Sequence, residues 1–200
     1  MPQASSTAAI GLQDVLITGE LSKRLPAELD RAAADAALHD LGSSIASGHL
    51  VLVRQLVEAA LRLCSAHTSG ISILRTDADG VSRFHWDALA GVYAGNVGGT
   101  TPRDFSPCGA TLDRRSPQLF HYPGRLFTYF QAAEPPPIVE GLVLPIYVDH
   151  LEYGTLWVVS HDQERHFTSA ETQIMQSLCS FAGAAVSLLK RRAAEAASVA

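Results

Sequence analysis

Residues 70–93, GISILRTDADGVSRFHWDALAGVY, decide the fold. GISILR and VSRFHWDALAGVY are rich in β-branched and aromatic side chains, and TDADG between them ends in an Asp-Gly pair, the turn chemistry that joins antiparallel strands. The stretch therefore predicts a hairpin. Two further strand-like runs, IVEGLVLPIYVD at 138–149 and EYGTLWVVS at 152–160, predict a second one, and PQLFHY at 117–122 predicts a short strand between the two hairpins.

On either side of the hairpins the apolar period lengthens to that of a helix. PAELDRAAADAALHDLGSSIAS at 26–47 places Leu29, Ala33, Ala36 and Ala37 on one narrow stripe suited to packing on another helix, and Gly48 ends it. Leu50, Val53, Val57, Leu61 and Cys64 then recur at steps of three and four and predict a second helix facing a core. Thr168 and Glu171 stand in capping-box spacing, so a last helix starts near Ser169. Along it Ile174, Leu178, Phe181, Ala185 and Leu188 form a heptad-like seam. Burial within the chain and a bundle shared with a second copy both account for that seam.

This order predicts an α+β domain: an antiparallel sheet of five to six strands, helices packed on one face, and a loop-covered pocket on the other. Residues 1–20 are expected to be a flexible tail, 21–192 a single domain, and 193–200 a second tail. The 200 residues are 47% hydrophobic and 18% charged, an ordinary globular balance, with a net charge of −5. Only Lys190, Arg191 and Arg192 gather positive charge, and they suit the end of a helix, so nucleic acid is excluded as a partner. No stretch approaches about 20 uninterrupted apolar residues, so no membrane partner is expected. Cys64, Cys108 and Cys179 are too widely spaced for a zinc site and are expected as reduced thiols in a cytoplasmic protein, with no metal.

Residues 94–116, AGNVGGTTPRDFSPCGATLDRRS, form a long Gly- and Pro-rich connection, the kind of segment that carries function in a compact domain. The glycines lack the lysine and spacing of a phosphate loop. Candidate pocket residues from this connection are Arg103, Phe105, Cys108 and Thr111, followed by Phe120, Tyr122 and Tyr129. The aromatic ones can stack on a planar ligand, and Arg103 or Arg125 can neutralise an anionic group. On the strand at 81–93, the period of two puts Phe84, Trp86, Ala88 and Ala90 on one face. His85 and Asp87 fall on the other face, toward the pocket, an assignment that a bulge would reverse. His85 and His121 are read as ordinary strand histidines. No catalytic pair or nucleophile elbow is present, so an enzyme is not expected.

RFHWDALAGVYAGNVGGTTPRDFSPCGATLDRRSPQLF, followed by VLPIYVDHLEYGTLWVVSHDQERHFTSAETQIMQSL, resembles GAF domains, particularly those of bacterial sensor histidine kinases, over roughly residues 27–190. The resemblance implies a regulatory module of a two-component system. It would sense a small molecule, relay occupancy through its terminal helices, form a homodimer through them, and signal to a partner such as a histidine kinase. It leaves the cofactor unknown, because GAF domains hold cyclic nucleotides, bilins, haem or flavin, or only support dimerisation. Bilin-carrying members have a Cys-His pair; here Gly109 follows Cys108. A second reading is a thiol-based enzyme or sensor using Cys108, similar to free methionine sulfoxide reductase, although the connection that should carry that family's further cysteine has none. A third is a purely structural dimerisation domain.

Overall fold

A computed structural model describes residues 9–132 and 136–199. Six strands form one antiparallel sheet: β1 (Thr68–Thr76), β2 (Ser82–Gly91), β3 (Thr100–Pro102), β4 (Gln118–His121), β5 (Glu140–Val148) and β6 (Leu151–Ser160), ordered β3-β2-β1-β6-β5-β4. Both predicted hairpins are present, β1 with β2 and β5 with β6, and β1 pairs with β6 to join them at the centre. Four α-helices accompany the sheet among the described residues: α1 (Arg31–Ser44), α2 (His49–Leu63), α3 (Pro107–Arg114) and α4 (Ser169–Val199).

The alternation of strand side chains splits the interior in two. Leu142, Leu144, Leu156 and Val158 face α2 and α4 and join Leu52, Leu56, Met175 and Leu178 in the larger core. Val143, Trp157 and Val159 face the opposite way, toward Cys108 and Leu112 of α3 and Phe127 of the connection. Three helices therefore share one face, as expected, with α1 lying outermost on α2. The fourth, α3, covers the other face from inside the segment expected to be an irregular connection. Its start is fixed locally: Ser106 accepts a hydrogen bond from the Gly109 amide at 3.0 Å, and Pro107 fills the first turn.

On α2 the buried stripe is Leu52, Val53, Leu56, Val57, Ala59 and Ala60, and Leu50 is exposed. Thr168 and Glu171 make the cap in a modified form: the Glu171 carboxylate accepts from the Thr168 amide at 2.8 Å and from its hydroxyl at 2.6 Å, while that hydroxyl accepts from the Ala170 amide at 3.2 Å. By length and composition Ser169–Ser198 could cross a membrane, because Ile174, Leu178, Phe181, Val186, Leu188 and Leu189 lift the average hydropathy without any long apolar run. Its inward side, from Ala170 to Val186, covers the sheet and α2.

The two tails differ from expectation. Residues 1–8 of the first lie outside the described residues, but the rest is a strap along the edge of β4. Val15 is fully buried, the Ile17 amide donates to the Leu119 carbonyl at 2.8 Å, and the His121 amide donates to the Val15 carbonyl at 2.7 Å. A bare sheet edge offers unpaired backbone groups, and the strap satisfies them. At the other end α4 continues as helix to Val199, with 191–198 exposed.

Candidate functional site

Between the second face of the sheet and its cover lies a cavity of about 60 Å³. Trp86, Trp157, Phe120, Tyr93, Tyr129 and Phe130 are the aromatic residues of its wall. β2 and β6 bring the two tryptophans together edge to face, their ring centroids 6.4 Å apart. Trp157 is fixed by a 2.8 Å hydrogen bond from its Nε1 to the Ser72 hydroxyl, and its ring lies over Gly70, where an added Cβ would come within 2.2 Å of it. Only a glycine on β1 leaves that ring room.

The register of β2 decides which of its residues reach the cavity. Ile71 pairs with Ala88 but Ser72 pairs with Trp86, so Asp87 is an extra, bulged residue. Phe84 and Trp86 consequently face the cavity side and Ala88 and Ala90 the helices, which breaks the single face expected for these four. His85 lies opposite Ile73 on the helix side and hydrogen-bonds Asp77 at 2.8 Å. Asp87 pairs with Arg75, in electrostatic reach of His49 and Tyr153. Neither lines the cavity, contrary to the alternation argument, and the bulge is the reason.

Of the other candidates, Cys108, Phe120 and Tyr129 line the cavity together. Arg103 is turned outward to Asp113 at 2.9 Å and Glu152 at 3.3 Å. Thr111 is buried, its hydroxyl donating to the Pro107 carbonyl of its own helix at 2.8 Å. Tyr122 takes a left-handed turn conformation beside His121. Phe105, 45% exposed, packs on Phe127 and Tyr129 from outside. Alternation along β2 misses Trp86, and Trp157 is absent from the sequence-derived candidates, although the period of two along β6 separates Trp157 and Val159 from Leu156 and Val158.

Polar chemistry in the cavity is sparse. Burial pushes the Cys108 thiol up, and the neighbouring Thr155 and Ser72 hydroxyls offset this only in part. Cys64 and Cys179 belong to the helix-side core, across the sheet from it. The Thr101 hydroxyl and the Tyr129 phenol are buried, and neither has a hydrogen-bond partner among the described residues. Burial holds the Tyr129 phenol in its neutral form by pushing its pKa up. No group of three His, Cys, Asp or Glu among the described residues could hold a metal ion.

At Gly109 an added Cβ would sit 1.9 Å from the Arg103 carbonyl oxygen, a backbone atom that cannot step aside. The Gly109→Ala variant is expected to lose about 1–3 kcal/mol, read as a lowered thermal midpoint. An unchanged midpoint would mean that the loop before α3 yields freely.

The chain belongs to the GAF domain family, whose model matches residues 24–187. Solved structures similar to it include the GAF domain of a phosphoenolpyruvate-protein phosphotransferase from Coxiella burnetii. That domain has a TM-score of 0.67 at 14% identity, over 82% of this chain and 99% of the other. The phycocyanobilin-bound GAF domain of a cyanobacterial phytochrome gives 0.64 at 14% identity over 80% and 96%. The free methionine-R-sulfoxide reductase of Neisseria meningitidis, in complex with its substrate, gives 0.61 at 14% identity over 84% and 97%. At these identities the likeness is one of fold. No curated protein sequence matches the chain.

Proposed function

We propose that this GAF domain is a regulatory module, not an enzyme, in which a small molecule occupying the cavity changes how α2 and α4 sit on the sheet. The observation that carries the proposal is the sharing of strands between the two faces. Trp157 and Val159 wall the cavity, while Leu156 and Val158 on the same strand pack in the helix-side core. A guest that shifts β6 therefore moves both layers, provided it binds two arrangements with different affinity.

The output in this reading is a homodimer in the cytoplasm, signalling to a partner such as a histidine kinase. Support comes from α4, whose residues 191–198 extend past the core with exposed side chains. Those side chains stay exposed within the chain, and a second copy gives them a surface to pack against. A chain ending at Ser187 keeps every buried residue of α4 up to Val186. Sedimentation velocity is expected to find the full chain dimeric and the shortened one shifted to monomer. Identical profiles would remove the helix relay.

The arrangement around Cys108 speaks against the thiol reading. Its thiol is held protonated by burial, and the other two cysteines lie across the sheet, so neither a ready nucleophile nor a resolving thiol stands in the cavity. A bilin is likewise poorly served, since the position after Cys108 has no room for a histidine side chain.

A further inference from the structure

We infer that the cavity takes a small, electrically neutral, mainly apolar molecule, about one aromatic ring in size, carrying a single hydrogen-bonding group; this rests on the sensing reading of the same cavity. Three observations define that class. First, no Lys, Arg, His, Asp or Glu lines the cavity among the described residues. A charged group brought here loses its water and meets no opposite charge, a cost of several kcal/mol even after relaxation. Arg103, on the segment leading into α3, is already held by two carboxylates on the outer side.

Second, the wall is mainly aromatic and aliphatic; beside the exposed Asn96 and the Cys108 thiol it carries three hydroxyls, of which Tyr93 is satisfied by the Pro136 carbonyl at 2.6 Å and the other two lack partners among the described residues. Thr101 is 3% exposed and Tyr129 presents a fully buried phenol oxygen, and both line the cavity with no partner among the described residues. A buried hydroxyl left unpaired costs about 1–3 kcal/mol, so a guest bearing one alcohol, phenol or carbonyl group relieves a penalty that the empty site carries. A purely apolar guest would not.

Third, the space is small. About 60 Å³ is well below the roughly 150 Å³ of an apolar cavity that admits benzene, so even one ring must push the wall back. Tyr93, Tyr129, Phe130 and Ile138 are half-buried parts of that wall, as is Trp86, whose ring lies close against Gly99, while Trp157 is buried and anchored by Ser72. A macrocycle or a nucleotide would require rebuilding the whole cover.

The chain's two tryptophans are both in the cavity wall, so intrinsic fluorescence reports on its contents. The probes are benzyl alcohol, benzoate and benzylamine, which share one ring and differ in charge, with toluene as the ring lacking a polar group. Benzyl alcohol is expected to give a saturable change, and benzoate and benzylamine roughly a hundredfold weaker binding. Thr101→Val and Tyr129→Phe, each checked for an unchanged melting curve, are expected to weaken benzyl alcohol by roughly fivefold and leave toluene unaffected. If benzoate, benzylamine or a cyclic nucleotide saturates the signal as well as the alcohol does, the neutral class is wrong while the sensing cavity stands. If neither variant discriminates alcohol from toluene, the two hydroxyls play no part in recognition and the single polar group drops out of the ligand class. If no probe moves the tryptophan signal and native mass spectrometry of the purified protein finds no retained molecule, the cavity reading itself falls.

Discussion

Replacing Arg24 by alanine is expected to destabilise the domain by about 3–5 kcal/mol, a large share of the 5–15 kcal/mol typical of a folded domain. Glu140, at the first position of β5, is completely buried. Its carboxylate accepts two hydrogen bonds from the Arg24 guanidinium, at 2.7 and 2.9 Å, one from His166 at 2.8 Å and one from the Phe167 amide at 3.1 Å. Burial alone would raise this carboxyl, but Arg24, the Phe167 amide and His166 hold it below the usual carboxylate range. A depressed folded pKa confers stability that is whole above the ordinary carboxylate range and is lost as pH falls through the folded value. Without Arg24 the buried charge is stranded. Urea denaturation at neutral pH measures the loss, and a double variant with methionine at both positions is expected to recover most of it. A change under about 1 kcal/mol in the single variant would mean that the pair behaves like an exposed one.

Raising the pH from about 9.5 to 10.5 is expected to lower stability, by about 1 kcal/mol through Cys64 alone and further through the other two thiols. All three thiols are buried, and burial pushes each up from an ordinary value of 9.0, Cys64 to about 12, with Cys108 and Cys179 shifted in the same direction. The sign follows from proton counting. Above pH 9 the unfolded chain gives up thiol protons that the folded chain retains, so stability is whole below that pH and falls as pH rises, by at most about 1.4 kcal/mol per thiol per pH unit. Denaturant midpoints across this range test it, and a variant with alanine at Cys64, Cys108 and Cys179 is expected to show a flatter profile. A wild-type midpoint constant to pH 10.5 would show that the thiols ionise within the fold.

The order of strands and helices is legible in the sequence because its signals are local: the Asp-Gly turn, the period of two along β5 and β6, the Thr168–Glu171 cap. What is not legible depends on contacts between distant segments. Val15 and Ile17 look like tail residues until β4 presents an open edge for them to pair with. The bulge at Asp87 arises only when β2 is laid against β1, and one extra residue moves Trp86 into the cavity and leaves His85 outside it. Leu50 fits a helical period yet projects into solvent, because the face α2 presents is set by its packing on the sheet. In the candidate site, the aromatic density after residue 104 is visible in the sequence. Which rings point inward, as Phe120 of β4 and Tyr129 do, and which cover from outside, as Phe105 before α3 does, depends on how β4, α3 and the turns after β4 are laid against one another. Ser106 and Pro107 carry the start signal of α3, but Gly109 and Thr111 just behind them read as loop.

The sensing account stands on coupling between the cavity and α4, and a two-dimensional proton–nitrogen NMR titration with benzyl alcohol reads both at once. The account predicts that the two tryptophan indole signals shift together with amides of α4 between Ile174 and Val186, along one saturation curve. Indole signals that move to saturation while the α4 amides stay still would contradict it.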